Sequence, residues 1–86
     1  MKIYLYHSGC EYEGGETRSV HKTYEGAFAA AYKDAHMYSE TMINFNNEQP
    51  KEDRFHDSKI WDLKEIPDGF QVATTLYLVI EMELEE

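Results

Sequence analysis

The stretch that most constrains the fold is residues 74–84, where aliphatic side chains recur at every second position. Successive side chains of a β-strand point to opposite sides, so strict alternation over nine residues is typical of a strand with one buried face. A helix would scatter the same residues around its circumference. The pattern therefore predicts a long strand, with the rest of the chain packed on its aliphatic face, which comprises Leu76, Leu78, Ile80, Met82 and Leu84.

The other segments predict the remainder of a small sheet and one helix. Residues 2–8 alternate, and after a turn at Gly14 and Gly15 residues 16–22 return as a second strand. Thr23 has the side chain of a helix N-cap, and residues 24–42 carry one apolar stripe at helical spacing. Residues 59–66 and 70–84 predict a second hairpin. We expect an α+β fold, a four-stranded, mostly antiparallel sheet in the order β-β-α-β-β, with one helix packed on one face.

Between the helix and the second hairpin, residues 44–58 are polar and have no sustained periodicity. Asn46, Asn47 and Pro50 favour the end of a helix and resist a strand. Eighty-six residues suffice for one modest core. The prediction is a single domain over residues 1–86, with a long polar loop at 44–58.

The charge balance narrows the classes of partner. Seventeen acidic residues against eight basic ones give a net charge of −9. Such a charge repels nucleic-acid backbones and anionic membranes and favours basic protein surfaces. We therefore expect no direct nucleic-acid binding and no membrane binding. A merely soluble acidic domain has the same composition.

Two further features indicate a cytoplasmic location. The first residues, 1–7, contain an apolar run too short for a signal peptide, and no apolar run reaches the length of a membrane helix. Cys10 is a single cysteine, which agrees with a reducing compartment.

Three tyrosines are predicted to share the sheet face that points away from the helix: Tyr4, Tyr6 and Tyr77. Exposed tyrosines on an uncovered sheet face favour a protein interface, either with a partner or with a second copy, because tyrosine combines apolar area with a polar hydroxyl. Ordinary surface is the alternative interpretation.

Two acidic clusters are the other candidate binding elements. The first lies in the first loop and comprises Glu11, Glu13 and Glu16. The second lies at the end of the chain and comprises Glu81, Glu83, Glu85 and Glu86, of which the first three are predicted to share a strand face with Tyr77. Carboxylates on alternate strand residues repeat at about the spacing of phosphates along a nucleic acid, ~6.5–7 Å. They could imitate a phosphate backbone toward a nucleic-acid-handling protein. They could equally protect a solvated edge against aggregation.

His7, Cys10 and His21 are the one arrangement that resembles a metal site. Zinc uses these ligand types, but a single cysteine without a second close pair is a weak pattern. The same residues lack an orienting third group for nucleophilic catalysis. The sequence predicts no catalytic residue, no metal and no cofactor.

The opening half of the chain resembles small uncharacterised proteins of bacteriophages. The resemblance lies in the Met-Lys-Ile-Tyr start, the acidic glycine-rich turn, the strand around Val20, and the Thr-Tyr-Glu-Gly-Ala opening of an alanine-rich helix at residues 23–27; the Trp61-x-Leu63 segment before the last strand is similar too. Such a resemblance implies an accessory protein of the anti-defence inhibitor type in the cytoplasm of a bacterial host. It maps no functional residue.

Three hypotheses follow from the sequence, of which the third is a small enzyme or metal protein that uses His7 and Cys10. The first is a non-enzymatic inhibitor that binds a host defence or nucleic-acid-processing protein, itself basic, through the acidic clusters and tyrosines. The second is a homodimeric structural or ligand-sequestering protein in which Tyr4, Tyr6 and Tyr77 meet across a two-fold axis.

Overall fold

The computed structural model describes residues 1–10, 14–53 and 58–85. Within these ranges the fold is α+β, as predicted, but the sheet has five strands instead of four. The elements are β1 (Lys2–Cys10), β2 (Gly14–His21), α1 (Tyr24–Glu48), β3 (Lys64–Ile66), β4 (Gly69–Val72) and β5 (Thr75–Glu83), with 3₁₀ turns at Lys51–Asp53 and Ser58–Trp61. The extra strand arises because Ala73, with φ of 53°, turns the chain between β4 and β5.

The strand order is β2-β1-β5-β4-β3, and each neighbouring pair is antiparallel. The two longest strands, β1 and β5, are paired along nine residues each, from Lys2 opposite Glu83 to Cys10 opposite Thr75. The pairing of β2 with β1 contains one bulge. Tyr6 is opposite Ser19 and His7 is opposite Thr17, so Arg18 is the extra residue of β2 at this point. The centre of the sheet is therefore built from the first and last strands.

Helix α1 begins as the sequence predicts. The Thr23 hydroxyl oxygen accepts a hydrogen bond from the Gly26 amide at 3.1 Å, which satisfies one of the free donors of the first turn. Ala27, Ala31 and Ala35 lie at helical spacing and have no exposed surface. Because their side chains are small, the helix axis lies close to the sheet.

The end of α1 differs from the prediction. The helix continues to Glu48, so residues 44–48 of the predicted polar loop are helical. It stops at Gln49, which has extended backbone angles and precedes Pro50. A proline disfavours helical geometry in the residue before it, whereas asparagines within the last turn do not end a helix on their own. The predicted loop at 44–58 thus starts later, and residues 54–57 of it lie outside the described residues.

The two faces of the sheet are the reverse of the prediction. Tyr77 and Val79 of β5 are 5% and 6% exposed beneath α1, whereas Ile80 and Met82 are 40% and 44% exposed. The core joins Tyr6, Phe70, Val72 and Tyr77 of the sheet to Ala31 and Ala35 of the helix. Large rings fill the space that small helical side chains leave, which is why the aromatic face lies under α1.

We call the other side of the sheet the open face, because no described element covers it. Residues directly opposite each other on neighbouring strands point to the same side. The register therefore assigns these aliphatic residues to the open face: Ile3, Leu5, Val20, Ile66, Leu76, Leu78, Ile80 and Met82. The same pairing assigns four polar residues to the open face: His7, Thr17, Lys64 and Gln71.

Candidate binding groove

A groove of about 470 Å³ lies between the second half of α1 and the central strands. The sheet contributes its floor, Tyr6, Ser8 and Tyr77, because these residues lie on the α1 side of β1 and β5. The helix contributes its wall, in which Asp34, Tyr38 and Met42 follow one another at steps of four and therefore share one side of α1; Met37 and Thr41 complete the lining.

The floor is formed by two tyrosine rings with very little solvent contact. Tyr6 is 2% exposed and Tyr77 is 5% exposed. Their ring centroids are 6.5 Å apart and the ring planes meet at 22°. The Tyr6 hydroxyl donates a hydrogen bond of 2.9 Å to Oδ2 of Asp34, whose side chain is itself exposed. The groove thus places a carboxylate beside two buried aromatic rings.

The electrostatics of the groove keep both floor phenols protonated. Burial raises the pKa of Tyr6 strongly, and its hydrogen bond to Asp34 raises that pKa further. Burial also raises the pKa of Tyr77 to about 12, and repulsion between ionised Tyr77 and an ionised Tyr38 or the Asp34 carboxylate acts in the same direction. Since the Asp34 charge reaches both phenols, the potential in the groove is negative and disfavours an added anion.

Arg18 borders the floor from β2. Its Nε donates to the Ser8 hydroxyl oxygen at 2.8 Å, and its Nη1 donates to Oε1 of Glu16 at 2.7 Å. The bulge in β2 turns Arg18 to the α1 side of the sheet, where these partners lie. The guanidinium lowers the pKa of Tyr77, which opposes the effect of Asp34, but Glu16 compensates much of its charge.

The structure brings only two of the three predicted tyrosines together. Tyr6 and Tyr77 meet in the groove, while Tyr4 packs edge-on against Tyr24 at the start of α1, with centroids 6.1 Å apart. The prediction that all three point away from the helix is wrong, because α1 packs on the side that carries them. Tyr6 and Tyr77 are therefore not exposed on an uncovered sheet face, as that prediction assumed.

The described strand glutamates among the predicted acidic residues lie on the α1 side of the sheet, but they do not form one cluster. Glu81 pairs with the Lys2 ammonium at 3.0 Å, and Glu83 lies 3.2 Å from the amino nitrogen of Met1. Glu85 is exposed. Glu16 is aligned with Ser8, and Glu81 is aligned with Tyr4. Because Ser8 and Tyr4 are four residues apart on β1, the two glutamates are separated by about 13 Å along the strand direction. Glu11, Glu13 and Glu86 lie outside the described residues.

The three residues that resembled a metal site are not brought together as a group. By register His7 belongs to the open face and His21 to the α1 side, while His7 and Cys10 both line a small cavity of about 200 Å³. His21 is aligned with Tyr4 and Cys10 with Gly14, at opposite ends of β1. Among the described residues, no group of three or more potential ligands is close enough to hold a metal ion.

Sequence reasoning missed Asp34, Thr41 and the role of Tyr38 in this groove. Tyr38 and Met42 were recognisable as members of the apolar helical stripe. Asp34 directly precedes Ala35, a member of that stripe. A carboxylate next to the centre of an apolar stripe was the feature of the sequence that could have indicated Asp34. The contact with Tyr6 joins residues 28 positions apart, and no local pattern shows it.

No protein-family model matches this sequence, and no curated protein or solved structure matches it either. In the part of the chain that the structure describes, no helix combines the length and the apolar character needed to cross a membrane. The function must therefore be inferred from the chemistry of the groove.

Proposed function

We propose that the chain is a non-enzymatic binding protein whose groove receives a lysine or arginine side chain of a basic partner protein. The observation that carries the proposal is the Asp34 carboxylate, held by Tyr6 at the edge of a floor of two buried tyrosine rings. A cation is attracted both by a carboxylate and by the face of an aromatic ring.

The size and lining of the groove support a side chain as its occupant. A volume of about 470 Å³ is at the lower end of the range for ligand sites. Among the described residues, its lining contains neither histidine nor cysteine, and the raised pKa values of Tyr6 and Tyr77 keep both phenols protonated near neutral pH, so that neither can act as a general base there. These features favour recognition over catalysis.

The whole chain supports the same class of partner. A net charge of −9 attracts basic proteins at long range and raises the rate of encounter at low ionic strength. The resemblance to small bacteriophage proteins suggests where such a partner occurs, namely among host defence or nucleic-acid-processing proteins. In this proposal the chain inhibits its partner by occupying a basic surface.

The first prediction tests the groove with a defined probe. A short arginine-rich peptide is titrated into the protein, and NMR follows the ring signals of Tyr6, Tyr38 and Tyr77. In the variant Asp34→Asn the amide oxygen can still accept from the Tyr6 hydroxyl, so the fold is kept while the charge is lost. We expect the peptide to bind about tenfold more weakly, ~1.4 kcal/mol.

The matched control is Asp62→Asn, which removes the same charge from an exposed aspartate outside the groove. It should leave the affinity within about twofold. A second control peptide carries citrulline, which has the shape of arginine without its charge, and should not bind. Equal affinities for the two proteins, or for the two peptides, would refute the groove as a cation site.

The partner itself is sought by capture from nuclease-treated bacterial lysate, first at low and then at moderate salt. The informative comparison is between the wild-type protein and the Asp34→Asn variant. A host protein that the wild type retains and the variant does not supports the inhibitor proposal, whereas equal retention by both contradicts it.

A further inference from the structure

The open face concentrates apolar side chains on the side of the sheet opposite the groove. It contains eight aliphatic residues drawn from four strands. Three of them are among the most exposed large hydrophobic residues of the chain, with Val20 at 60%, Met82 at 44% and Ile80 at 40%. A contiguous apolar face of this kind marks an interaction surface, because isolated exposed aliphatic residues are ordinary but grouped ones are not.

Among the described strand residues, none of those on the open face is acidic. The described strand residues include four glutamates, and the register places all of them on the α1 side: Glu16 opposite Ser8, Glu65 opposite Phe70, Glu81 opposite Tyr4 and Glu83 opposite Lys2. Asp68 also points to that side, since it accepts a hydrogen bond from the Tyr24 hydroxyl. In a chain with seventeen acidic residues, this separation removes the like-charge repulsion that would otherwise oppose contact between two copies through this face.

We propose that the open face packs against the open face of a second copy of this chain. Two copies of an acidic protein repel each other over most of their surfaces, but here the facing surfaces bring no strand carboxylates together. Face-to-face packing of two twisted antiparallel sheets, about 10 Å apart with strands within ~30° of each other, is a common solution for such faces. The same patch then serves both copies, as a two-fold axis demands.

The area is sufficient for a specific dimer. Three of the eight apolar residues are 40–60% exposed and the other five are half-buried, so together they offer about 500 Å² per copy and hence about 1,000 Å² in total. This value is at the lower limit of specific interfaces, so we expect dissociation in the micromolar range. The polar members Lys64 and Gln71 come from β3 and β4 at one edge, where their side chains can reach water.

The test measures molecular mass by sedimentation equilibrium over a range of concentrations. We expect the wild-type chain to reach twice its monomer mass of 10.1 kDa. The variant Ile80→Glu places a carboxylate on the face and should weaken association about a hundredfold or more. The matched control is Ile60→Glu, because Ile60 is 38% exposed and lies outside the open face, in the second 3₁₀ turn. It should dimerise like the wild type.

Two further variants keep the test decisive. Met82→Glu repeats the disruption at a second exposed position, and far-UV circular dichroism confirms that each variant is folded. His7→Leu replaces the polar side chain aligned with Leu78 by an aliphatic one and should strengthen association. A wild-type chain that stays monomeric throughout refutes the proposal, even if another protein binds the face. A dimer that both glutamate variants leave intact, or that Ile60→Glu disrupts equally, refutes it too.

Discussion

The phenols of Tyr6 and Tyr77 lie beneath α1, and their ionisation would place negative charge in a buried site beside Asp34. Their pKa values are accordingly raised, that of Tyr77 to about 12. A raised pKa in the folded state means that the folded protein retains protons which the unfolded chain releases. Stability is therefore coupled to pH through these two residues.

We predict that the free energy of unfolding falls as the pH rises from about 10, the ordinary pKa of tyrosine, toward 12. A buried phenol contributes its full stabilisation at any pH below the pKa that it has in the unfolded chain. This contribution disappears as the pH rises past the pKa that the phenol has in the folded protein. The slope reaches about 1.4 kcal/mol per pH unit for each such phenol. Urea unfolding at a series of pH values measures it.

The residue that tests this coupling is Tyr77. In Tyr77→Phe the decline with pH should be shallower than in the wild type, because one titrating phenol is gone. Tyr32→Phe is the control, since Tyr32 is 48% exposed and should leave the slope unchanged. Parallel slopes in the wild type and Tyr77→Phe would show that Tyr77 does not carry the effect.

At the scale of elements, the contact between α1 and the sheet combines small side chains from the helix with large rings from the sheet. The helix supplies alanines with no exposed surface, and the sheet supplies Tyr6, Phe70 and Tyr77. Phe28 of the helix adds a ring 4.8 Å from that of Phe70. The helix can approach this closely only where its side chains are small, so the alanine positions determine the distance between the layers.

Enlarging one of these alanines should separate the layers. We predict that Ala31→Leu lowers the free energy of unfolding by about 1–3 kcal/mol, because this side chain is fully buried in the contact between α1 and the sheet. Ala29→Leu is the matched control on the exposed side of the same helix and should change stability by no more than about 0.5 kcal/mol. Chemical denaturation measures both. Equal effects of the two substitutions would contradict the close packing at Ala31.

The elements also show what a single sequence can predict. The alternation in β5 and the stripe of α1 reflect local geometry, and both elements are found where the pattern places them. Alternation separates two faces without saying which one is covered. Both faces of β5 carry apolar residues, Leu78 and Ile80 on one and Tyr77 and Val79 on the other. The choice between them depends on the fit to α1, a tertiary property, and this is why the predicted faces were reversed.

At the scale of the whole molecule, the two proposed surfaces lie on opposite sides of the sheet. The groove opens beside α1, and the open face lies behind it. A dimer formed through the open faces would leave both grooves directed outward. A partner with two basic segments at a suitable distance could then occupy both, and its apparent affinity would exceed that of either groove alone.

Dimerisation has a thermodynamic signature that does not depend on mass measurements. We predict that the melting temperature of the wild-type chain rises with protein concentration, because association stabilises the folded state by mass action. The melting temperature of Ile80→Glu should be independent of concentration. Calorimetry over a tenfold or wider range of concentration makes the comparison. A wild-type melting temperature that does not change would contradict the second copy as occupant of the open face.

The central position of β1 and β5 also has a kinetic consequence. The residues that these two strands pair are between 65 and 81 positions apart in the chain. Closing so long a loop is entropically costly, and folds dominated by such distant pairs form slowly. During synthesis β2 and α1 emerge before β5 exists, so the sheet lacks its centre until residues 75–83 have been made. Until then the aliphatic side of β1 has no neighbouring β5, and chaperones would encounter the chain in that state.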